Sequence, residues 1–366
     1  MIARGYIYGL LLISTLMNMA VGLPAILGLS AIAFNKKLIR KSNLIILFLL
    51  LFKILWMSYI QVNYSLRFFS TFLTTMAADG MLCMFLFYSV EKNFLKGFFR
   101  PFLILFYVDF IFNVCIYLIG FDPFGRAGSY RPDDILPRLG GIFGHPFYSV
   151  NIAFIAIISA LFCRKKVALF LAVLGLLMNG TLRAPLAVSI IAFVYVLLYL
   201  RFNPLLCLFF GVFSAGMVFF ITIYTGIHAD YASGNMLRAI AWDNAIFHIM
   251  RNPIFGTHIF PEATTDITGS VITVLRHGIA ESYYLQLSLD YGMPPAIASL
   301  CVFSLISIRE IKNFYEYKNH YTFISALLAL TIFIDNFYGS LFGIAITTIP
   351  FCMLCVSSRS NSYYEK

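Results

Sequence analysis

The sequence predicts an all-α fold, a polytopic transmembrane helical bundle of about eleven spans with a long loop on the outer, non-cytoplasmic face containing an amphipathic helix. Three observations predict it. Hydrophobic residues make up 61% of the chain and charged residues only 11%, against about 25% charged in a soluble domain. Apolar runs of roughly 18 residues or more, each able to cross a hydrocarbon core of about 30 Å, recur along the whole length. Lysines gather in alternate loops, as positive-inside insertion requires.

The first span is expected over 8–34. It is too long for a signal-peptide core and ends in Lys36, Lys37, Arg40 and Lys41 rather than a small-residue cleavage site, so no cleavable signal is expected. Further spans are expected over 43–60, 69–90, 101–120, 146–162, 167–180, 185–200, 205–225, 283–306, 321–335 and 339–356. Residues 1–366 read as a single integral membrane domain, with 226–282 as its large loop. The loops holding Lys92, Lys96 and Arg100, then Arg164, Lys165 and Lys166, then Arg201, then Arg309, Lys312 and Lys318 lie on one face, which is expected to be cytoplasmic. Eleven spans place the N-terminus outside and the C-terminus inside; a re-entrant segment near the N-terminus would reverse the first end only.

The formal charge of +10 does not indicate nucleic-acid binding, because the basic residues are scattered in short loops and form no continuous stripe. Seven cysteines lie in or beside apolar runs. An odd number there is not a disulfide framework, and Cys352-x-x-Cys355 reads as packed small residues rather than a redox or metal site.

The opposite face carries Arg67, Arg126, Arg131, Arg138, Arg183, Arg238, Arg251 and Arg276, and no lysine. Guanidinium offers a rigid fork of donors, so arginine alone points to bidentate recognition of oxyanions; the alternative is composition bias over a few positions. Residues 121–146 form a loop rich in Gly, Pro and Arg. In the longer loop, Met236, Ile240, Ala241, Ala245, Ile246 and Met250 recur at helical spacing, which predicts an amphipathic helix over 235–250.

Four segments could carry chemistry. Arg138 through Gly140, Gly141 and Gly144 to His145-Pro146 is a glycine-rich approach to a span, where backbone can come close to a ligand. Asn179-Gly-Thr-Leu-Arg183-Ala-Pro185 is a turn between two short spans. Arg183 there is costly against hydrocarbon, which argues for a hydrated cavity or an anion at a helix N-terminus; snorkelling is the alternative. Arg238 and Trp242 share a helix face, and Asn252-Pro253 to Gly256 reads as a stop and turn. Last comes His277, then Glu281-Ser282-Tyr283-Tyr284-Leu285 to Asp290-Tyr291-Gly292. Glu281 is a candidate general base, or simply an acid at a helix start. Lys53, Asp79, Asp109 and Asp335 fall in or at the ends of apolar runs and are functional candidates by position. Lys53 with one aspartate is also a candidate ion pair, and Asp335 a candidate for the same outer cavity.

Taken in order over 138–292, these segments resemble the O-antigen polymerase and ligase superfamily of bacterial envelope enzymes. The correspondence is Arg138 to Pro146 with an Arg-Gly-Phe-His-Pro-like segment, Thr181-Leu-Arg183 with a Ser-Arg-like turn, and Arg238, Trp242 and Asn252 to Gly256 with an outer-loop Arg, Trp and Asn-Pro-x-x-Gly. The last motif carries His-Asn in ligases. Here Glu281-Ser282 stands in that place, with His277 one turn earlier, which looks more like the polymerase branch and leaves Glu281 or His277 as the proton acceptor.

The resemblance implies an inverting, metal-independent glycosyltransferase with no cofactor, at the periplasmic face of the bacterial cell inner membrane. It would polymerise oligosaccharide repeats on undecaprenyl diphosphate into O-antigen or a related surface polysaccharide. Glu281, Arg183 and Arg238 would be catalytic, and Arg138, His145, His277, Trp242 and Asp335 would bind substrate. The implied partners are the lipid-linked donor and acceptor, the lipid bilayer and a chain-length regulator protein. A ligase acting on lipid A–core and a non-enzymatic flippase of the same lipid-linked sugars are the alternatives.

Overall fold

The computed structural model describes residues 2–14, 35–36, 41–64, 69–120, 139–144, 146–179, 183–227, 234–256, 282–339 and 345–356. Among these residues the fold is helical apart from one pair of two-residue strands. The order is α1 Ile2–Ser14, β1 Asn35–Lys36, α2 Lys41–Tyr64, α3 Phe69–Phe87, β2 Tyr88–Ser89, α4 Lys92–Ile119, a 3₁₀ turn Gly141–Phe143, α5 Pro146–Cys163 and α6 Lys166–Met178. It continues with α7 Arg183–Tyr199, α8 Pro204–Ile227, α9 Gly234–Arg251, α10 Tyr283–Tyr291, α11 Met293–Tyr317, α12 His320–Asp335 and α13 Ala345–Phe351, which runs into a π turn at Cys352–Val356.

Four helices are long and apolar enough to cross a membrane, within Asn43–Asn63, Lys92–Ile119, Pro204–Ile221 and Met293–Tyr317. Shorter apolar helices, 10–17 residues each, pack among them. The span expected over 8–34 is described only as far as Ser14.

Two elements differ from the sequence expectation. The span expected from Pro101 starts nine residues earlier, at Lys92, so Lys96 and Arg100 lie on a helix rather than in a loop. This added stretch packs along α1, where a glycine on each helix lets the two backbones meet. A Cβ at Gly97 would lie 1.9 Å from the Ile2 carbonyl oxygen, and one at Gly5 would lie 2.0 Å from that of Phe94. Small residues at such a crossing let helices pack on backbone rather than side chains. The second difference is that the span expected over 283–306 is two helices. Gly292, at φ 85° and ψ 175°, ends α10, and prolines in the next turn start α11 in a new direction.

Helix α12 is buried from Ile324 to Asp335 and forms the centre of the bundle. A helix that is apolar on every side belongs in a core. Helix α8 lies at the periphery, with Leu205, Phe209, Phe213 and Phe220 facing outward. Cys352 and Cys355 are buried, and Cys355 Sγ donates to the Ser325 carbonyl at 3.3 Å, so the pair packs the core.

One end of the bundle gathers the lysine-bearing connections. Asn35 and Lys36 pair antiparallel with Ser89 and Tyr88. Lys92 Nζ lies 4.2 Å from the centre of the Tyr321 ring, His320 Nε2 donates to the Leu161 carbonyl at 2.6 Å, and Tyr315 Oη to that of Phe202 at 2.7 Å. Arg309 joins Asn43 Oδ1 to the Cys355 carbonyl. Arg164, Arg201 and Lys318 end their helices in the left-handed region, at φ 56°, 54° and 50°. A cation there faces the negative end of the helix dipole.

Gly97→Val is expected to destabilise the protein by about 1–3 kcal/mol, because two backbones must separate. Gly80 has nothing within 4 Å of a built Cβ, so Gly80→Ala should be neutral or stabilising by up to about 1 kcal/mol. Thermal unfolding in detergent reads both; equal melting temperatures for the two variants would contradict the close α1–α4 crossing.

Candidate functional site

The end of the bundle opposite the lysine-rich one brings together parts of all four sequence segments. It starts at the glycine-rich turn. Gly141 takes φ 61°, and a Cβ on it would lie 2.0 Å from Asp109 Oδ1. That carboxylate accepts from Ile142 N at 3.0 Å, Ser149 Oγ at 2.7 Å and Asn113 Nδ2 at 3.1 Å. A buried carboxylate needs such donors, and here they pin the turn onto α4 and α5. Arg138 and His145, which flank the turn, lie outside the described residues.

The turn leads to the second segment through Asn179, whose Nδ2 donates to the Leu139 carbonyl at 3.1 Å. Four residues on, Arg183 begins α7. Helix α7 packs antiparallel to α12, since Tyr195 near the end of α7 meets Phe323 near the start of α12, ring centres 5.6 Å apart. The same number of residues separates Arg183 from Tyr195 as Phe323 from Asp335, so the start of α7 and the end of α12 lie level at one end.

Asp335 leads to the fourth segment. A Cβ on Gly339 would lie 2.7 Å from Asp335 Oδ2, so the carboxylate lies against the 336–339 turn. The start of α10 docks on that turn. Tyr283 N donates to the Gly339 carbonyl at 2.8 Å and Tyr284 N to that of Asn336 at 3.3 Å. Ser282 Oγ caps α10 by accepting from Leu285 N at 3.3 Å. Asp335 is therefore adjacent to the residue that follows Glu281. Glu281 and His277 themselves lie outside the described residues.

The third segment meets the fourth backbone to backbone. Met293 N donates to the Pro253 carbonyl at 2.7 Å. Gly256, at φ 77°, and Gly292 sit where side chains would collide: a Cβ on Gly292 would lie 2.0 Å from the Ile254 carbonyl oxygen, and one on Gly256 2.8 Å from Gly292 N. Trp56 of α2 closes this junction. Its Nε1 donates to the Tyr291 carbonyl at 3.0 Å and its ring stacks on Phe255 at 5.9 Å. Nothing in the sequence singled out Trp56.

The predicted helix over 235–250 is present as α9, with Arg238 in its second turn. Trp242 is 1% exposed and stacks on Phe219 of α8, ring centres 4.7 Å apart and 7° from parallel. In this arrangement the indole holds α9 to α8 instead of presenting an open face to a sugar.

Lys53 and Asp79 pair, Nζ to Oδ1 at 2.8 Å, in the middle of α2 and α3. The same ammonium donates to Tyr283 Oη at 2.7 Å. Both ions are buried, at 1% and 0% exposure. Among the described residues no group of three or more His, Cys, Asp or Glu could hold a metal ion. No family model and no curated protein matches the chain.

Gly292→Ala is expected to cost about 1–3 kcal/mol from backbone strain alone, because its conformation is almost exclusive to glycine, with the collision at Ile254 in addition. Lys53→Met should cost about 3–5 kcal/mol by leaving Asp79 buried and unpaired, and Lys53→Met with Asp79→Leu should recover most of that loss. Unfolding in detergent measures each; a double variant no more stable than the single one would contradict the pairing.

Proposed function

We propose that the chain crosses the bacterial inner membrane about eleven times and polymerises undecaprenyl-diphosphate-linked oligosaccharide repeats at the periplasmic face. The observation that carries this reading is that parts of four sequence segments, paired first with second and third with fourth, lie towards the end of the bundle opposite the lysines. Single-sign lysine bias supports a periplasmic assignment for that end.

In the proposed reaction, a sugar hydroxyl of the acceptor attacks the anomeric carbon of the donor. The new glycosidic C–O bond forms as the bond to the diphosphate breaks, and undecaprenyl diphosphate leaves. Arg183, at the start of α7, and Arg238, in α9, would stabilise the charge growing on the diphosphate by charge-assisted hydrogen bonds. Glu281 would take the hydroxyl proton as the bond forms, with His277 as the alternative acceptor. Arg138 and His145 would hold the glycan, and Asp335, beside the 282–283 backbone, would line the same cavity. Trp242 would act by fixing the helix that carries Arg238. Such a single displacement would invert the anomeric centre without a covalent sugar intermediate.

A flippase for the same lipid-linked sugars is the second reading. One observation favours it, the Lys53–Asp79 pair in the middle of two helices, since transporters place charges near the bilayer midplane. The Lys53 ammonium bonds Tyr283 Oη as well as Asp79, which ties it into the packing of the bundle and favours a structural use of it. A ligase differs only in acceptor.

Purified protein in liposomes with lipid-linked repeats should lengthen them into polymer. Arg183→Ala, Arg238→Ala and Glu281→Ala should each lower elongation at least about 100-fold while inserting normally, as loss of one preorganised charge does elsewhere. Arg183→Lys should fail as well, because a point charge does not reproduce the fork. Translocation of a labelled repeat without elongation would overturn the enzyme reading in favour of transport. Transfer only to lipid A–core would favour the ligase.

A further inference from the structure

Among the described residues, the buried ion pair of Lys53 and Asp79 is tied to the segment on which the proposed chemistry rests. Lys53 Nζ has two acceptors, Asp79 Oδ1 at 2.8 Å and Tyr283 Oη at 2.7 Å. It also lies 5.3 Å from the centre of the Tyr283 ring. All three residues are buried. Lysine offers three donors in a compact head and a flexible stem, so one ammonium can hold two oxygens from different helices.

Tyr283 is held at both ends. Its hydroxyl is fixed to α2 and α3 through the ammonium, and its amide donates to the Gly339 carbonyl at 2.8 Å. Its neighbours Ser282 and Tyr284 both contact the Asn336 carbonyl, at 3.4 Å and 3.3 Å. The ring packs edge-on to Phe303 of α11, centres 6.1 Å apart. The first turn of α10 thus has its rotation set by one phenol and its position set by one backbone turn.

We infer that Lys53, Asp79 and Tyr283 form a positioning triad for the proposed transfer: the ion pair on α2 and α3 holds the Tyr283 hydroxyl, and so holds the start of α10, from which the chain bearing Glu281 departs, against the turn that carries Asp335. This rests on the polymerase reading for its consequence but not for its geometry. None of the three touches the reacting atoms. They act through the segment they fix, and a general base misplaced by about 1 Å loses roughly 100-fold in rate.

The test uses the full chain in micelles and liposomes. Tyr283→Phe removes one oxygen and keeps the ring packing, so its melting temperature should stay within a few degrees of the parent. Its kcat for repeat addition should fall at least tenfold while KM for the lipid-linked repeat stays within twofold. Hydrogen exchange of the peptide covering 282–289 should speed up by a similar factor. The Lys53→Met, Asp79→Leu double variant should show the same split, and it serves in place of Tyr283→Phe if that variant does not fold. Unchanged exchange in a folded variant overturns the tether whether or not the parent elongates anything. Faster exchange with parental kcat overturns the positioning role. An inactive parent with faster exchange in the variants supports the tether and places the failure in the polymerase reading.

Discussion

A lysine ammonium among apolar helices must be paired, and the pairing of Lys53 decides how this bundle is joined. Placing the charge there is expensive, so its partners cannot be incidental. Asp79 neutralises it and Tyr283 takes a further donor. Because those partners come from α3 and α10, the satisfaction of one ammonium brings three helices to one point. Tyr283 then sits against Gly339 and Asn336 at the end of α12. The central helix and the short broken helix that follows the large loop are thereby placed with respect to each other.

The same end of the molecule depends on irregular backbone, which is tolerated at membrane depth only where protein or a hydrated cavity satisfies it. The protein meets that demand in two ways. At Gly141 a carboxylate from α4 accepts from the turn's own amide. At Gly256 and Gly292 two turns lie directly on one another, and the Met293 amide meets the Pro253 carbonyl. A methyl group at either glycine would occupy the space of the opposite backbone. Turns built in this way are held by backbone contacts without being helical.

Much of the architecture was legible from hydropathy. The helices over Pro146–Cys163, Lys166–Met178, Arg183–Tyr199, Pro204–Ile227 and His320–Asp335 follow the apolar runs to within a few residues, because burying an unbonded backbone group costs enough that apolar runs become helices. The amphipathic helix at Gly234–Arg251 was legible from its three- and four-residue spacing. The candidate pairing of Lys53 was legible in part, because a mid-span cation demands a partner, but neither Asp79 over Asp109 nor the added Tyr283 hydroxyl could be chosen from spacing. Trp242 carried a signal with two readings, sugar handling and structural stacking. Its spacing from Arg238 is that of one helix face, yet its burial against Phe219 depends on how α9 folds back onto the preceding helix, which spacing within α9 does not show. Trp56 gave no local signal at all, since a tryptophan in an apolar run looks the same whether it faces lipid or caps a carbonyl.

What the sequence alone determined is therefore where most of the apolar helices lie, the clustering of the lysines in alternate connections and the positions where a charge or glycine had to have a reason. These follow from the free energy of placing single residues in an apolar medium, which is a local property of the chain. Only the tertiary structure decided that the run over 283–306 breaks at Gly292, that the helix before Pro101 extends back to Lys92 along α1, and that the Asn252 to Gly256 turn lies on Gly292. Each of those outcomes turns on whether a second backbone can approach to within the space of one methyl group, and that contact is made by residues far apart in the chain, where periodicity carries no information.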